Sequence, residues 1–356
     1  MRTVIVGAGL AGPLLAQGLV RAGFEVALYE REAAIDERSQ GYRIHLDPEG
    51  VDALRDCLPP DLYDEVVATS GIPGSGVTIL SPRLEVVQRI AAPVDGDEGP
   101  QHLSVDRVTL RRILLTGIKT GHATFDHYEL LADGTVRVHF AGGGSAEADL
   151  LVGADGTHSR VRAQLLPDAE VVETGQFLIF GKTPLTPEAR SLTPAASLDG
   201  FSVVAGADGR FMPLAGHRPR TGEPGYLMWV VGSRQPASAV DGSALRDTAA
   251  RLVGDWHPDL AALVGLAHPA TVHATTVRTA KPVPPWTTGP VTLIGDAVHT
   301  MVPAGIGAAV ALRDAALLCA QVTSPASDLL DAVHAYEASM LEYGFAAVAR
   351  SLRAGG

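Results

Sequence analysis

Apolar residues open the chain as a β-branched run over residues 3–6, recur at helical spacing at Leu15, Leu19 and Ala22, and return over residues 26–29. Short apolar runs suit buried strands, and the recurrence between them suits a helix, so the opening predicts one βαβ unit. Pro13 fits the first helical turn, where its missing amide costs no hydrogen bond. Gly23 stands where a glycine ends a helix.

Further along, residues 48–58 are helix-like and Pro59-Pro60 ends them. Alternation through Val77, Ile79, Leu84 and Val86 around Ser81-Pro82-Arg83 predicts a hairpin. Val105, Thr109 and Ile113 fall four apart, so residues 105–114 read as an amphipathic helix with Asp106 as its cap. Residues 124–129 and 135–140, split by Ala132-Asp133-Gly134, form a second hairpin. A buried strand over residues 150–152 then runs into Asp155-Gly156, and Ser159 opens a helix.

Texture changes after Gly175. Candidate strands at residues 176–181, 201–205, 210–213 and 226–232 are separated by Gly, Asp and Pro, followed by a helix over 243–255 and a β-rich run over 271–278. A parallel-type strand returns at residues 291–294, then a Pro/Gly turn, a long apolar helix starting near Gly305, and an amphipathic tail over 329–352. The order predicts an α/β nucleotide-binding fold interrupted by an antiparallel β-sheet. Expected boundaries are 1–70, 101–172 and 287–356 for the nucleotide-binding part, with 71–100 and 173–286 in the inserted sheet.

Composition narrows the partners. A 356-residue chain that is 46% apolar can bury a sizeable core, and a net charge of −12 without a basic stripe argues against nucleic acid. The longest apolar stretch, residues 308–320, is broken by Arg313 and Asp314 and falls short of the roughly 20 residues of a membrane span. With no signal-peptide pattern, Cys57 and Cys319 read as reduced, buried thiols in a cytoplasmic protein.

The candidate chemistry lies at strand ends. Gly7, Gly9 and Gly12 give GxGxxG between a strand and a helix, with Glu30 at the end of the next strand, 18 residues after Gly12. The glycines permit the turn, admit a pyrophosphate and let helix and strand pack; the helix amides face the anion; the acid holds ribose hydroxyls. A glycine-rich turn without ligand would read the same at Gly7 to Gly12 alone. Arg31 follows the acid as a further candidate contact, and Arg43 could reach a phosphate or be solvated. Arg107 is a cation in the first turn of its helix, which the dipole disfavours, so it answers an anion or is simply exposed. Asp155 is a second acid at a strand-to-turn junction, and Asp296, beside Gly295, is a third.

Taken together, Gly7-x-Gly9-x-x-Gly12 with Glu30, the G-A-D-G-x-x-S-x-x-R run around Asp155, and Gly295-Asp296-Ala-Val-His299 with Pro303 resemble the single-component FAD-dependent aromatic hydroxylases, the group A flavoprotein monooxygenases of the para-hydroxybenzoate hydroxylase type. The resemblance spans nearly the whole chain and implies a Rossmann-like FAD-binding fold with an inserted antiparallel β-sheet substrate domain. It assigns the pyrophosphate to Gly7, Gly9 and Gly12, the adenosine ribose to Glu30, the ribityl chain to Asp296, and positions near the flavin to Arg43 and Arg107. Gly295, Pro303, Gly305 and Gly307 belong to its flavin loop, and Asp155 to a motif linked to both FAD and NAD(P)H. The implied reaction has NAD(P)H reduce FAD and dioxygen form a C4a-hydroperoxide that hydroxylates an aromatic or polyketide-like small molecule, in a monomer or homodimer.

One departure stands out. The family's PxxGxG is followed by Asn, whereas here Pro303-Ala304-Gly305-Ile306-Gly307 is one residue shorter and Ala309 takes the Asn position. Another flavin reaction on the same fold, a non-enzymatic flavin protein and a nicotinamide-only dehydrogenase remain open readings. No catalytic residue is identified. His45, His102, His217 and His299 lie nearest the motifs and read equally as structural, and Phe201, Phe211, Met212 and Met228 face either a ligand or the sheet core.

Overall fold

Strands covered on both faces carry unbroken apolar runs, and two such strands form the middle of the first sheet. In the computed structural model, which describes residues 1–33, 42–72, 74–91, 102–234 and 241–354, five strands pair in the order Val291–Leu293, Leu150–Gly153, Arg2–Val6, Glu25–Glu30, Thr120–His122. All four pairings are parallel. Leu150–Gly153 is buried throughout, as expected of a strand with layers on both sides. The helices Ala11–Arg21, Pro48–Cys57 and Gly307–Thr323 share its core.

The second hairpin gains a third strand, Ser145–Ala148, and becomes a meander with Phe125–Leu130 and Val136–Phe140. Its inner face sends Phe125, Val136, Val138 and Phe140 into the main core. Its outer face is polar.

A seven-stranded sheet forms a roof. Its order is His273–Ala280, Val171–Pro184, Tyr226–Ser233, Phe211–His217, Phe201–Ala205, Gly76–Leu80, Val86–Ala91. Every pairing is antiparallel except Phe201–Ala205 with Gly76–Leu80. Alternation splits the sheet into two faces. Ile179, Leu227, Trp229 and Val231 pack outward under the helices Pro187–Leu192, Gly242–Leu252 and Pro258–Gly265. Leu178, Phe180, Ala215, Met228 and Val230 point inward, where they meet Val302 and Tyr42 of the first body. Met212 is on the outward side, so it is core packing; Phe201, Phe211 and Met228 are on the inward side.

Three local readings shift. Pro59-Pro60 does end one helix, but Pro60 also occupies the first turn of another, Pro60–Thr69, where a proline is tolerated. The amphipathic stretch begins as a strand, Leu103–Asp106, and turns helical only at Arg107–Leu114; Asp106 accepts the Val108 and Thr109 amides as the cap. The long helix starts at Gly307 rather than near Gly305, whose φ of 82° is not helical. Residues 34–41, in the loop expected after Glu30, lie outside the described residues. Cys57 and Cys319, distant in sequence, are free, buried and packed together around Gly18.

Candidate cofactor and substrate site

The three glycines of the first turn meet three different surroundings. Gly7 has φ of 110°, and a Cβ there would lie 2.2 Å from the Ala154 carbonyl oxygen. On Gly12 it would lie 2.1 Å from the Gly7 oxygen. Around Gly9 there is nothing within 4 Å, so its backbone faces open space. The helix behind it, Ala11–Arg21, has no side-chain cap, which leaves its first amides available to an anion.

Glu30 ends the second strand and reaches back to the turn. Its carboxylate accepts the Ala8 amide at 2.7 Å and the Glu32 amide at 3.1 Å. Arg111 completes this corner: it donates to the Ala8 carbonyl at 2.5 Å and lies 3.7 Å from Glu30 and 3.6 Å from Glu32. Burial pushes its pKa down, against the attraction of Glu30. Arg111 was not singled out in the sequence, although it stands one helical turn after Arg107 on the same face. Arg31 is exposed at the edge of this corner.

At the second turn the Asp155 carboxylate is turned onto its own helix. It accepts the Ser159 hydroxyl at 2.5 Å and the Arg160 and Val161 amides at 2.8 and 3.3 Å. The ligand-facing part of this turn is backbone, since Ala154 and Asp155 pack on Gly7. Buried Arg162 then ties the second turn to the third by donating to the Thr157 and Ala297 carbonyls at 2.9 and 2.8 Å.

The third turn is held from behind. Gly295 adopts φ 63°, ψ −141°, a conformation open essentially to glycine alone. Fully buried Asp314 accepts the Gly295 amide, the His299 ring and the Tyr343 hydroxyl, each at 2.6 Å. Burial opposes a charge on His299, but Asp314 overcomes it and raises the His299 pKa. His299 is therefore a buried ion-pair member, and a Cβ on Gly344 would press within 2.7 Å of its ring. Asp296 points the other way. It is exposed to solvent, yet enough protein surrounds it that desolvation pushes its carboxyl pKa up, with Arg107 and His299 pulling it down. The two facts together make it the wall of a recess. Pro303 and Gly305 form an exposed loop, Gly307 starts a helix without a side-chain cap, and Ala309 is buried where Gly50 of the neighbouring helix approaches. A larger side chain at 309 would meet that helix, so the departure from the family pattern coincides with a close helix contact.

Across the recess the roof presents aromatic and charged groups. Tyr42, Phe180 and His273 stack nearly parallel, with centroids 4.9 Å apart for Tyr42 and Phe180 and 5.2 Å for Phe180 and His273. Beside them Lys182 donates to Asp106 at 2.9 Å, Tyr226 donates to the same oxygen at 2.8 Å, and the Lys182 ammonium sits 4.2 Å above the Tyr226 ring. Burial works against the Asp106 charge, but Lys182 and the bonds from Thr109 and Tyr226 hold its pKa below the ordinary value. Burial, then Asp106, drives the Tyr226 pKa well up. Burial lowers His217 and His273 to about 4, so both rings are neutral near pH 7, and each keeps a buried Nδ1 with no hydrogen bond. Arg43 lies here, not at the glycine turn: it donates to Ser104 at 2.5 Å, with burial lowering its pKa. His45 and His102 pair with each other at 3.2 Å on the outside.

Three turns that converge from distant parts of the chain, facing a roofed aromatic recess, define a dinucleotide-binding oxidoreductase architecture. A family model described as FAD binding domain matches residues 115–344. Kynurenine 3-monooxygenase of Salinispora arenicola is 32% identical over 370 residues, covering 95% of this chain and 76% of its own length. The dual O-methyltransferase/FAD-dependent monooxygenase elcB of Phaeosphaeria nodorum is also 32% identical over 366 residues; the match covers 88% of this chain and 39% of that protein, so the chain spans about two fifths of that relative. A solved structure from Photorhabdus luminescens, described as an FAD containing monooxygenase, superposes with a TM-score of 0.88 at 30% identity over 100% of this chain and 97% of the other.

The chain belongs to the FAD-dependent monooxygenases of the group A aromatic-hydroxylase type. FAD is the cofactor of that family, and the residues present fit it. The open face of Gly9, two uncapped helix starts, a carboxylate at the adenosine corner and Asp296 in a protein-lined recess are what a diphosphate, a ribose and a polyol chain require. Among the described residues no helix is long and apolar enough to cross a membrane.

Proposed function

We propose that this chain is a monooxygenase that uses NAD(P)H and dioxygen to hydroxylate an aromatic or polyketide-like small molecule. The single observation that carries the substrate half is the Tyr42, Phe180 and His273 stack beside the Lys182, Asp106 and Tyr226 cluster, a flat apolar wall with a cation at its end. Relatives named for ring substrates, kynurenine and 6-hydroxynicotinate, support the class.

When bound, FAD supplies hydride acceptance and dioxygen activation. The chain's residues supply position. Gly9 and the amides opening Ala11–Arg21 take the pyrophosphate, Glu30 and Arg111 frame the adenosine ribose, and Asp296 takes the ribityl hydroxyls. The roof strands of residues 71–100 and 173–286 act as the substrate-binding part. Lys182 and Arg43 hold an anionic oxygen of the substrate, such as a phenolate or carboxylate. Neutral His217 and His273 add no charge to this wall, and the stacked rings exclude water from the reacting face.

The test is the absorption spectrum of purified protein followed by anaerobic NADPH or NADH with a panel of phenols and aromatic acids. Flavin bands that bleach faster with one ring compound, and an aerobic product heavier by one oxygen, are expected. Colourless protein that takes up no added FAD, or NAD(P)H oxidation that no ring compound accelerates, would overturn the proposal.

A further inference from the structure

The outer face of the meander, remote from the recess, carries an arrangement that the flavin site does not use. His127 and Glu129 are two apart on one strand and so share a face, and His139 is the direct cross-strand partner of His127. One ligand atom from each lies within 4.8 Å of the other two. The His139 Nε2 is 3.3 Å from the Glu129 carboxylate, yet it is buried and makes no hydrogen bond. His127 is oriented from behind: its Nδ1 lies 3.0 Å from the Asp126 carboxylate, which can only accept, so Nδ1 carries the proton and Nε2 presents its lone pair. A carboxylate behind a histidine is the usual outer support of a metal ligand. Two cations stand beside the cluster: Arg137 is drawn 2.6 Å from Glu147 and stands 3.8 Å from Glu129, and Arg160 lies 3.5 Å from Asp126.

We propose that His127, Glu129 and His139 bind one divalent transition-metal ion of the zinc class, with Asp126 positioning His127. Two imidazoles and one carboxylate suit Zn²⁺ with water in the fourth place, and imidazole ligands disfavour Mg²⁺ and Ca²⁺. Bonds of about 2.0–2.2 Å put tetrahedral donors roughly 3.3–3.6 Å apart. The His139 and Glu129 pair already has that spacing; the exposed His127 ring lies stacked 4.4 Å from the His139 ring and has to turn out of that stack to place its nitrogen on the same ion. The ion staples two strands of the meander and takes no part in the flavin reaction.

Isothermal titration of Zn²⁺ into metal-free, FAD-loaded protein tests this. One saturable equivalent is expected, with a rise in thermal midpoint on adding Zn²⁺. Asp126→Asn should weaken binding about 10–100-fold. His127→Gln with His139→Gln should abolish it while flavin content stays unchanged. Exposed Glu129→Gln serves should the double variant not fold, and should also lose most of the binding. No saturable binding at millimolar Zn²⁺, equal binding in the variants, or preference for Mg²⁺ over Zn²⁺ would overturn the proposal.

Discussion

Asp314 is the residue whose loss the structure makes most costly. Asp314→Ala leaves the His299 cation, the Gly295 amide and the Tyr343 hydroxyl without their acceptor, all in or near a fully buried pocket. Removing one partner of a buried ion pair costs about 3–5 kcal/mol, and an orphaned neutral donor about 1–3 kcal/mol. These overlap, because His299 can shed its proton, so the expected loss is about 4–6 kcal/mol; Asp314→Asn, which keeps one acceptor, should lose roughly half of that. Urea midpoints at fixed ionic strength measure both. The pH dependence is the sharper check. His299 has a raised pKa in the folded chain against 6.5 as its ordinary value. The stabilisation from its proton is therefore fully present below about 6.5 and is lost as pH rises through the raised folded value. The parent should weaken over that window, and Asp314→Asn should lack the slope. A loss below about 1 kcal/mol in Asp314→Ala, or the same slope in both proteins, would refute the ion-pair account.

Gly9→Ala and Gly12→Ala should part company: the first leaves a folded chain with at least about tenfold weaker FAD binding, the second clashes with the Gly7 carbonyl and compromises folding, as circular dichroism and flavin content will report. Asp296→Ala should purify folded but depleted in FAD, and unchanged flavin content would remove Asp296 from the ribityl role. Lys182→Met should raise KM for an anionic ring substrate about 10–100-fold, from the loss of one charge-assisted bond, while a neutral analogue is little affected.

The first βαβ unit was legible because its glycines, helix and acid follow one another within 30 residues. Phe201–Ala205 was read to its ends from strand alternation bounded by turn residues. Alternation could not say which face of the roof looks inward, so Met212 and Met228 read alike although they lie on opposite sides. Arg111 and Arg162 act on carbonyls 103 and 135 positions away, and nothing local marks such partners. Asp155 read as a cofactor contact because it ends a strand beside glycine; its carboxylate also accepts the first amides of the helix that follows, a local role the strand-end position did not announce. Asp314 interrupted an apolar run and signalled only that the run was no membrane span. Its charge is there for the turn nineteen residues earlier.

The turn that carries Asp296 is closed from behind by Tyr343, and the helix bearing Tyr343 is seated by neighbours earlier on that helix: Tyr336 donates to the Leu293 carbonyl at 2.8 Å, and Glu337 gathers Trp286, Thr288 and Thr292. Gly7 and Tyr343, on the two sides of this arrangement, stand more than three hundred residues apart in the sequence. The two turns therefore form one site only when the helix Leu329–Ala354 is docked. A ligand that bridges both turns would thus tie the first glycine turn to the helix that carries Tyr343, so that flavin occupancy and docking of that helix stabilise each other.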